Sequence, residues 1–206
     1  MKKFELTTEF ITNFLGTKLF RIKALVEFGK VEKGELGGFV EKEENLDHDG
    51  DAWVSGDAWV SGDAMVYGNA RVYGNAEVYG DAEVYGDARV SGDAMVYGNA
   101  RVSGNARVYG NAWVSGNARV SGDAWVSGDQ MYAAVKGFGS EYRNTTFFIT
   151  KDGNVCVNCG CFSGTLEQFR EKVEETHKDT KYAKEYLMIA DLMEMHFKEE
   201  LEKIKK

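Results

Sequence analysis

The sequence predicts a mainly β protein organised around a parallel β-solenoid. A six-residue motif, Gly-[Asp/Asn]-Ala-x-Val-[Tyr/Ser], occurs thirteen times between Gly50 and Ser127 without insertion or deletion. Within each unit Ala and Val stand two residues apart, so in a short strand both side chains point to one face. The Gly-[Asp/Asn] pair supplies turn chemistry, because glycine accepts positive φ and Asn and Asp tolerate the left-handed region. A strand and a corner every six residues predict a solenoid with small apolar side chains inside.

The repeats divide the 206-residue chain into three predicted parts. Residues 1–49 form a β cap, residues 50–132 form the solenoid, and residues 133–206 form a small α+β domain. A solenoid's first apolar layer must be covered, which is the role that we expect for the N-terminal segment.

Within the N-terminal cap, residues 20–28 alternate apolar and charged side chains, which is the period of a half-buried strand. Residues 37–40 (Gly-Gly-Phe-Val) are predicted to make a tight bend. Just before the repeats, Leu46 falls at the Ala position and His48 at the Val position of a degenerate unit, for which we predict a structural role. An atypical terminal repeat is what capping predicts.

The C-terminal part contains a hairpin signal and two helix signals. Residues 145–150 (Thr-Thr-Phe-Phe-Ile-Thr) and 155–157 (Val-Cys-Val), which favour strands, flank Lys-Asp-Gly-Asn, a strong turn sequence. Residues 165–168 (Thr-Leu-Glu-Gln) form a capping box that opens a helix to about His177. A second helix, capped by Asp179 or Thr180, is predicted through Lys206. One apolar stripe on it either packs on the hairpin and first helix or serves self-association or a partner: Tyr186, Ile189, Met193 and Phe197.

Three cysteines form the pattern C-x2-C-x-C at Cys156, Cys159 and Cys161. A zinc site normally has four ligands, and a second cysteine pair is missing. His177 or a neighbouring subunit would have to complete such a site. We prefer buried free thiols, with zinc as the alternative, and predict no cofactor.

Composition and charge argue against several classes. The formal net charge is −8 and no segment is basic, which argues against a nucleic-acid-binding groove. The first residues are too polar for a signal peptide, and no run approaches the roughly 18 apolar residues of a membrane span. An odd cysteine count does not fit a secreted disulfide framework. We therefore expect a cytoplasmic protein.

The array resembles the hexapeptide-repeat proteins, whose units place an aliphatic residue four positions before a small one, as Val54 and Ala58 do here. The resemblance implies a left-handed β-helix, triangular in section, with three units per coil. Glycine follows Val by two residues here, whereas in that family it more often follows directly. Reading every third unit as a column gives three outward sets, which are Trp53, Arg71, Arg89, Arg107, Trp125; Trp59, Glu77, Met95, Trp113; and Met65, Glu83, Arg101, Arg119. At the neighbouring positions the same columns predict that Tyr79 stacks on Tyr97 and Tyr67 on Tyr85.

Many hexapeptide-repeat proteins are acyltransferases with a catalytic His, and others are carbonic anhydrases that hold zinc with three His. Between Gly50 and Ser127 this chain has no His, Cys, Lys or interrupting loop. General-base or metal chemistry needs such a side chain within reach. We therefore expect no enzymatic activity, and a degenerate acyltransferase is the third hypothesis.

The segments that flank the array, Gly37–Leu46 and Gly160–Glu167, look like those of uncharacterised phage and prophage proteins. That resemblance implies a phage setting and no established activity. The first functional hypothesis is a non-enzymatic binding protein that engages a host factor, for example a defence protein that it inhibits. Its candidate surface follows the composition of binding hot spots and comprises Trp59, Arg89, Met95, Arg101, Arg107, Trp113 and Arg119.

The second hypothesis is a homo-oligomer, a dimer or trimer, with a nucleotide or coenzyme-like ligand held in inter-subunit clefts. Hexapeptide solenoids often trimerise side by side, and a trimer creates such clefts. Arg101, Arg107 and Arg119 are the candidate contacts to the anion. A monomer in solution has no such clefts and would favour the first hypothesis instead.

Overall fold

The computed structural model describes residues 1–204 and shows a parallel β-solenoid between two caps. Strands β1 (Phe4–Thr12), β2 (Lys18–Ala24) and β3 (Leu36–Val40) precede it. The solenoid strands have two residues each: β4 Trp53–Val54, β5 Trp59–Val60, β6 Met65–Val66, β7 Arg71–Val72, β8 Glu77–Val78, β9 Glu83–Val84, β10 Arg89–Val90, β11 Met95–Val96, β12 Arg101–Val102, β13 Arg107–Val108, β14 Trp113–Val114, β15 Arg119–Val120 and β16 Trp125–Val126. The C-terminal part contains β17 (Tyr132–Phe138), β18 (Arg143–Ile149), β19 (Val155–Cys159), β20 (Phe162–Thr165), α1 (Leu166–His177) and α2 (Lys181–Ile204).

The strand register confirms three units per coil. Each solenoid strand pairs in parallel with the strand eighteen residues away, as Arg89 does with Arg71 and Arg107. The three resulting stacks are β4-β7-β10-β13-β16, β5-β8-β11-β14 and β6-β9-β12-β15. Every repeat Ala and Val lies inside and is at most 1% exposed. The core is thus a stack of small side chains with one composition from coil to coil.

The repeat glycines sit at the corners in the left-handed region, with φ between 64° and 77°. They also allow close stacking of coils. A Cβ placed on Gly86 would lie 3.0 Å from the backbone nitrogen of Gly104 in the next coil. Conformation and space together explain why the motif keeps glycine at this position.

The first coil is covered by β1 and β2, an antiparallel hairpin continued by β3. The predicted strand over residues 20–28 is wrong at its C-terminal end, because β2 stops at Ala24. Beyond that point the Leu25 amide donates to the Lys3 carbonyl, and Phe28 bridges to Val31 across a turn. Strand β1 escaped prediction because its outer half, with Phe10 and Ile11 exposed, has no clean alternation.

The predicted bend over residues 37–40 is wrong, since these residues lie in strand β3. Phe39 and Val40 pair in parallel with Trp59 and Val60. The two glycines are there for space. A Cβ on Gly37 would lie 2.5 Å from the Ile22 side chain, and one on Gly38 would lie 2.4 Å from the Ala58 carbonyl oxygen. The strand therefore sits closer to the first coil than any side chain would permit.

The frame predicted for the degenerate unit is also wrong, by two residues. Leu46 pairs with Val66 and is buried, so it occupies the Val position and not the Ala position. His48 consequently lies outside the core. Its ring stacks on Phe4 with centroids 4.4 Å apart, and its Nδ1 accepts from the Lys3 amide. The structural role predicted for His48 is confirmed at a different position.

Two buried polar side chains cap the open N-terminal edge of the solenoid. The Asn45 amide donates to the carbonyls of Gly62 (3.0 Å) and Ala64 (2.8 Å). The Lys3 ammonium, 3% exposed, donates to the Ala52 carbonyl at 3.0 Å. Burial lowers the pKa of Lys3, against the opposing effect of nearby aspartates. These donors satisfy backbone oxygens that an unpaired edge would leave open.

The C-terminal cap is a four-stranded antiparallel sheet in the order β17-β18-β19-β20, packed against α1 and α2. The predicted hairpin is confirmed by the pairing of Ile149 with Val155. The capping box is confirmed as well, because the Thr165 hydroxyl accepts from the Gln168 amide at the start of α1. Strands β17 and β20 were not predicted. The end predicted for the second helix, Lys206, lies outside the described residues.

Side chains of this cap close the C-terminal edge of the solenoid. The Arg119 amide donates to the Thr146 hydroxyl, and the Asn158 amide donates to the Arg119 carbonyl. The Trp113 amide donates to the Asp129 carboxylate. Both ends of the parallel stack are thus covered by cap residues that bond to backbone groups of the solenoid edge.

One role predicted for the apolar stripe of the second helix, a free surface for self-association or a partner, is wrong. Its four residues are at most 8% exposed and pack inside the C-terminal cap: Tyr186, Ile189, Met193 and Phe197. Tyr186 stacks edge-on against Phe169 of α1, which shows where the stripe is covered. The other predicted role, packing on the hairpin and first helix, is the observed one.

Candidate binding surfaces

Each coil has three units, and each unit belongs to a different stack of strands. The outward columns of the solenoid therefore form three separate faces. We call the column of Arg71, Arg89 and Arg107 the arginine face. The aromatic face comprises the column Trp59, Glu77, Met95 and Trp113, together with Phe14, Tyr79 and Tyr97. The mixed face comprises Met65, Glu83, Arg101 and Arg119 with Tyr67 and Tyr85. The seven residues of the sequence-predicted surface are therefore distributed over all three faces and do not make one site.

Trp59 belongs to the predicted surface, but packing under the N-terminal cap was equally expected for it, and the structure shows that packing. It is 6% exposed and belongs to a small cluster with Leu19 and Phe39. The tip of the β1–β2 hairpin also covers it, with the rings of Phe14 and Trp59 6.2 Å apart. The hairpin continues the same sheet as β5, so it folds directly over this column.

Rings on the aromatic face form a continuous series. Trp59 stacks on Tyr79 at 5.5 Å, and Tyr79 stacks on Tyr97 at 5.1 Å with an interplanar angle of 4°. At the open end Met95 pairs in register with Trp113, which is 50% exposed. Phe14, which is 67% exposed, completes the other end. The stacking of Tyr79 on Tyr97 was predicted from the columns, whereas Phe14 was missed because only the hairpin brings it here.

The arginine face carries three cations in one register ladder. Neighbours along a parallel stack lie about 4.8 Å apart, and like charges at that separation repel. Within residues 1–204, none of Arg71, Arg89 and Arg107 makes an ion pair. At the adjacent corner the amide of Asn69 donates to the Asp87 carboxylate.

On the mixed face, polar groups pair with one another. Arg101 forms an ion pair with Glu83 at 2.9 Å, and the Tyr67 hydroxyl donates to Glu83 at 3.0 Å. The predicted stacking of Tyr67 on Tyr85 is confirmed, with an interplanar angle of 2°. Burial, followed by the bond to Glu83, raises the pKa of Tyr67 to about 12.

Tyr67 therefore makes the stability of the solenoid sensitive to alkali. Its folded pKa of about 12 lies above the ordinary value of 10.0. The folded state holds the proton longer, so its contribution is complete below pH 10 and falls between pH 10 and 12. We expect Tyr67→Phe to reduce this loss, measured by thermal unfolding across that range. Tyr73→Phe, which removes an exposed phenol, is the control, and equal effects of the two variants would contradict the assignment.

A cleft lies where the mixed face meets the C-terminal sheet. We call it the junction cleft. Its volume is 380 Å³, and four of its lining residues are cationic: Arg101, Arg119, Lys136 and Arg143. Three asparagines and Tyr142 also line it, and no carboxylate does within the part of the chain described.

A second cavity of 270 Å³, the apolar pocket, opens between the sheet and α1. Phe162, Phe169, Val173 and Tyr186 form its walls, with His177 at one side. The Tyr186 hydroxyl accepts a weak bond from the Cys159 thiol at 3.7 Å and donates to the Phe138 carbonyl. Burial, followed by this thiol, raises the pKa of Tyr186.

The three cysteines are free, but they are not all buried as predicted. Cys156 and Cys159 are half-buried, whereas Cys161 is exposed. Burial raises the pKa of the Cys156 thiol. His177 lines the same pocket as Cys159 and Cys161. Among residues 1–204, however, no three His, Cys, Asp or Glu side chains are grouped so as to hold a metal ion.

Comparisons with known proteins concern the solenoid. A family model described as the YdcK beta solenoid repeat matches residues 58–74, 64–80, 82–98, 88–103, 100–116 and 112–128. A search among curated proteins returned no match to the chain. None of the helices in residues 1–204 is long and apolar enough to cross a membrane. The solenoid is thus similar to the YdcK repeat family, in agreement with its parallel coils, and both caps lie outside the matched stretches.

Proposed function

We propose that the protein is a non-enzymatic binding scaffold that presents its aromatic face to a protein partner. The observation that supports this is the series of stacked rings from Trp59 through Tyr79 to Tyr97, on the face that also carries the half-exposed Trp113. Tyr, Trp and Met are enriched at the centres of protein interfaces and depleted elsewhere on surfaces. In the phage setting implied by the flanking segments, the partner is a host protein, and inhibition of a defence protein is the expected consequence.

The backbone beneath the aromatic face is rigid, which favours this function. Neighbouring coils are joined by regular bonds, such as the amide of Tyr79 to the Val96 carbonyl at 3.0 Å. The rings of Tyr79 and Tyr97 are already held parallel before any partner binds. Ordering an interface side chain costs about 0.5–1.5 kcal/mol, so a preordered face avoids much of that cost.

The lack of His, Lys and Cys between Gly50 and Ser127 supports a scaffold over an enzyme. The x position of each unit varies while the inward Ala and Val do not. Such a stack keeps its core constant and changes only the side chains that it displays. This separation suits recognition of a partner.

We expect Trp113→Ala combined with Met95→Ala to weaken binding of the partner about 30-fold or more, because truncating a hot-spot residue costs about 2 kcal/mol. The partner is first captured from lysate of the native host cell with wild-type protein, then purified and titrated. Arg89→Ala combined with Arg107→Ala, on the arginine face, is the matched control and should bind normally.

Equal losses in the two double variants would contradict the aromatic face as the interface, as would unchanged affinity of the first. A second readout is collisional quenching of tryptophan fluorescence by acrylamide. Trp53 and Trp59 are buried, so quenching reports mainly Trp113 and the half-buried Trp125. Partner binding should reduce quenching in wild type but not in Trp113→Phe.

A further inference from the structure

We propose that the groove between the solenoid and the C-terminal cap binds a small phosphorylated molecule that carries an apolar group. Its phosphate lies in the junction cleft, and its apolar group lies in the apolar pocket. The groove belongs to a different surface from the aromatic face and is formed within one chain. It therefore requires neither the proposed protein partner nor the inter-subunit clefts expected from the sequence.

The junction cleft has the charge that a phosphate needs. Four cationic side chains line it in a protein whose net charge is −8, and no lining residue among those described is acidic. Arg101 pairs with Glu83 at 2.9 Å, and Arg143 pairs at 3.6 Å with Glu141, which lines the apolar pocket. Lys136 makes no ion pair within residues 1–204. A doubly charged phosphate suits this cluster because it offers several oxygens to several donors.

Arg119 is held in place for such contacts. Its guanidinium donates to the Gly160 carbonyl at 3.3 Å, which leaves its other N–H groups for a ligand. Its backbone is fixed on both sides by Thr146 and Asn158. The cleft is thus built by the closure of the solenoid edge and exists before a ligand arrives.

The apolar pocket and the junction cleft are neighbours, because Arg143 lines both cavities. The Arg143 guanidinium lies over Gly160, where a Cβ would be only 2.6 Å from its Nη1. Gly160 has a φ of 60° and so provides both the turn and the space. The polar and apolar ends of the groove are therefore adjacent, with one cation between them.

Backbone strain marks the same place. Tyr142, which precedes Arg143, has a φ of 50°, and its exposed ring lines the junction cleft. A non-glycine residue in the left-handed region costs roughly 1–3 kcal/mol, and such residues cluster at ligand sites. Tyr142 and Arg143 line the same cleft.

The test compares two probes by isothermal titration calorimetry, 1-naphthyl phosphate and inorganic phosphate. We expect naphthyl phosphate to bind at least about tenfold more tightly, equivalent to about 1.4 kcal/mol from burial of the ring. Lys136→Glu should weaken both probes, because it places a carboxylate in the junction cleft. Arg89→Glu makes the same charge change on the arginine face and should weaken neither.

A variant of the apolar pocket tests the two ends of the groove separately. Thr176 is an exposed residue of α1 that lines the pocket, so Thr176→Trp should fill it without disturbing the core. This variant should lose the preference for naphthyl phosphate and keep phosphate binding. Three results would overturn the proposal: no saturable binding of naphthyl phosphate, equal weakening by Lys136→Glu and Arg89→Glu, or an unchanged preference in Thr176→Trp. Thermal unfolding of each variant verifies its fold.

Discussion

Gly38→Ala is expected to destabilise the protein by about 3 kcal/mol, close to the upper end of overpacking effects. A Cβ at this position would meet the Ala58 carbonyl oxygen at 2.4 Å and the Val54 side chain at 2.8 Å. The first obstacle is backbone, so it cannot rotate away. Strand β3 would have to move off the first coil, and the melting temperature should fall by about 10 °C.

Gly128→Ala is the matched control for this prediction. Gly128 has an extended backbone with φ near −171°, and the atoms nearest to an added Cβ belong to the flexible end of Gln130. The Gln130 side chain can turn aside, so we expect little change in melting temperature. Equal stabilities of the two variants would show that β3 does not depend on close approach.

Val90→Asp is the second change for which we expect a large effect, a loss of about 4 kcal/mol at neutral pH. Val90 is fully buried in the middle of the stack, between Val72 and Val108. All of its neighbours in the column are apolar, and an unpaired buried carboxylate costs several kcal/mol. Thermal unfolding of the variant against wild type measures the loss.

The pH dependence of Val90→Asp identifies the cause. Burial raises the pKa of a carboxyl above its unfolded value, so the folded variant keeps it protonated. The cost is therefore small near pH 4, the unfolded value, and grows as the pH rises from there until it passes the raised folded pKa. Arg89→Asp, one residue away on the exposed side, should unfold like wild type. A pH-independent loss in Val90→Asp would indicate a packing defect instead.

The architecture of the solenoid could be predicted because its information is local and repeated. Each unit contains its own inward pair, outward residue and corner glycine. The structure predicted for one unit therefore applies to all thirteen. The column register followed from the repeat length, and the pairing of Met95 with Trp113 confirms it. The same locality explains the correct hairpin and capping box, which depend on residues a few positions apart.

The caps were predicted less well because their structure depends on contacts that are distant in sequence. Gly37 and Gly38 read as a bend, yet glycine there serves close approach to the first coil. Leu46, and not His48, occupies the Val position, because an apolar side chain is buried at the end of the stack more readily than a polar ring. Neither fact is visible in a window of the sequence.

The same difference between local pattern and contacts distant in sequence applies to the candidate surfaces. The repeat pattern was sufficient to predict the parallel stack, its columns and the residues that face outward in its middle. Three features depend on three-dimensional contacts instead: Trp59 is covered, Phe14 extends the aromatic face, and Arg119 meets Lys136 and Arg143 in one cleft. Repeats specify their neighbours through a constant spacing of eighteen residues. The caps instead place residues far apart in the chain side by side, and only three-dimensional packing determines which ones meet.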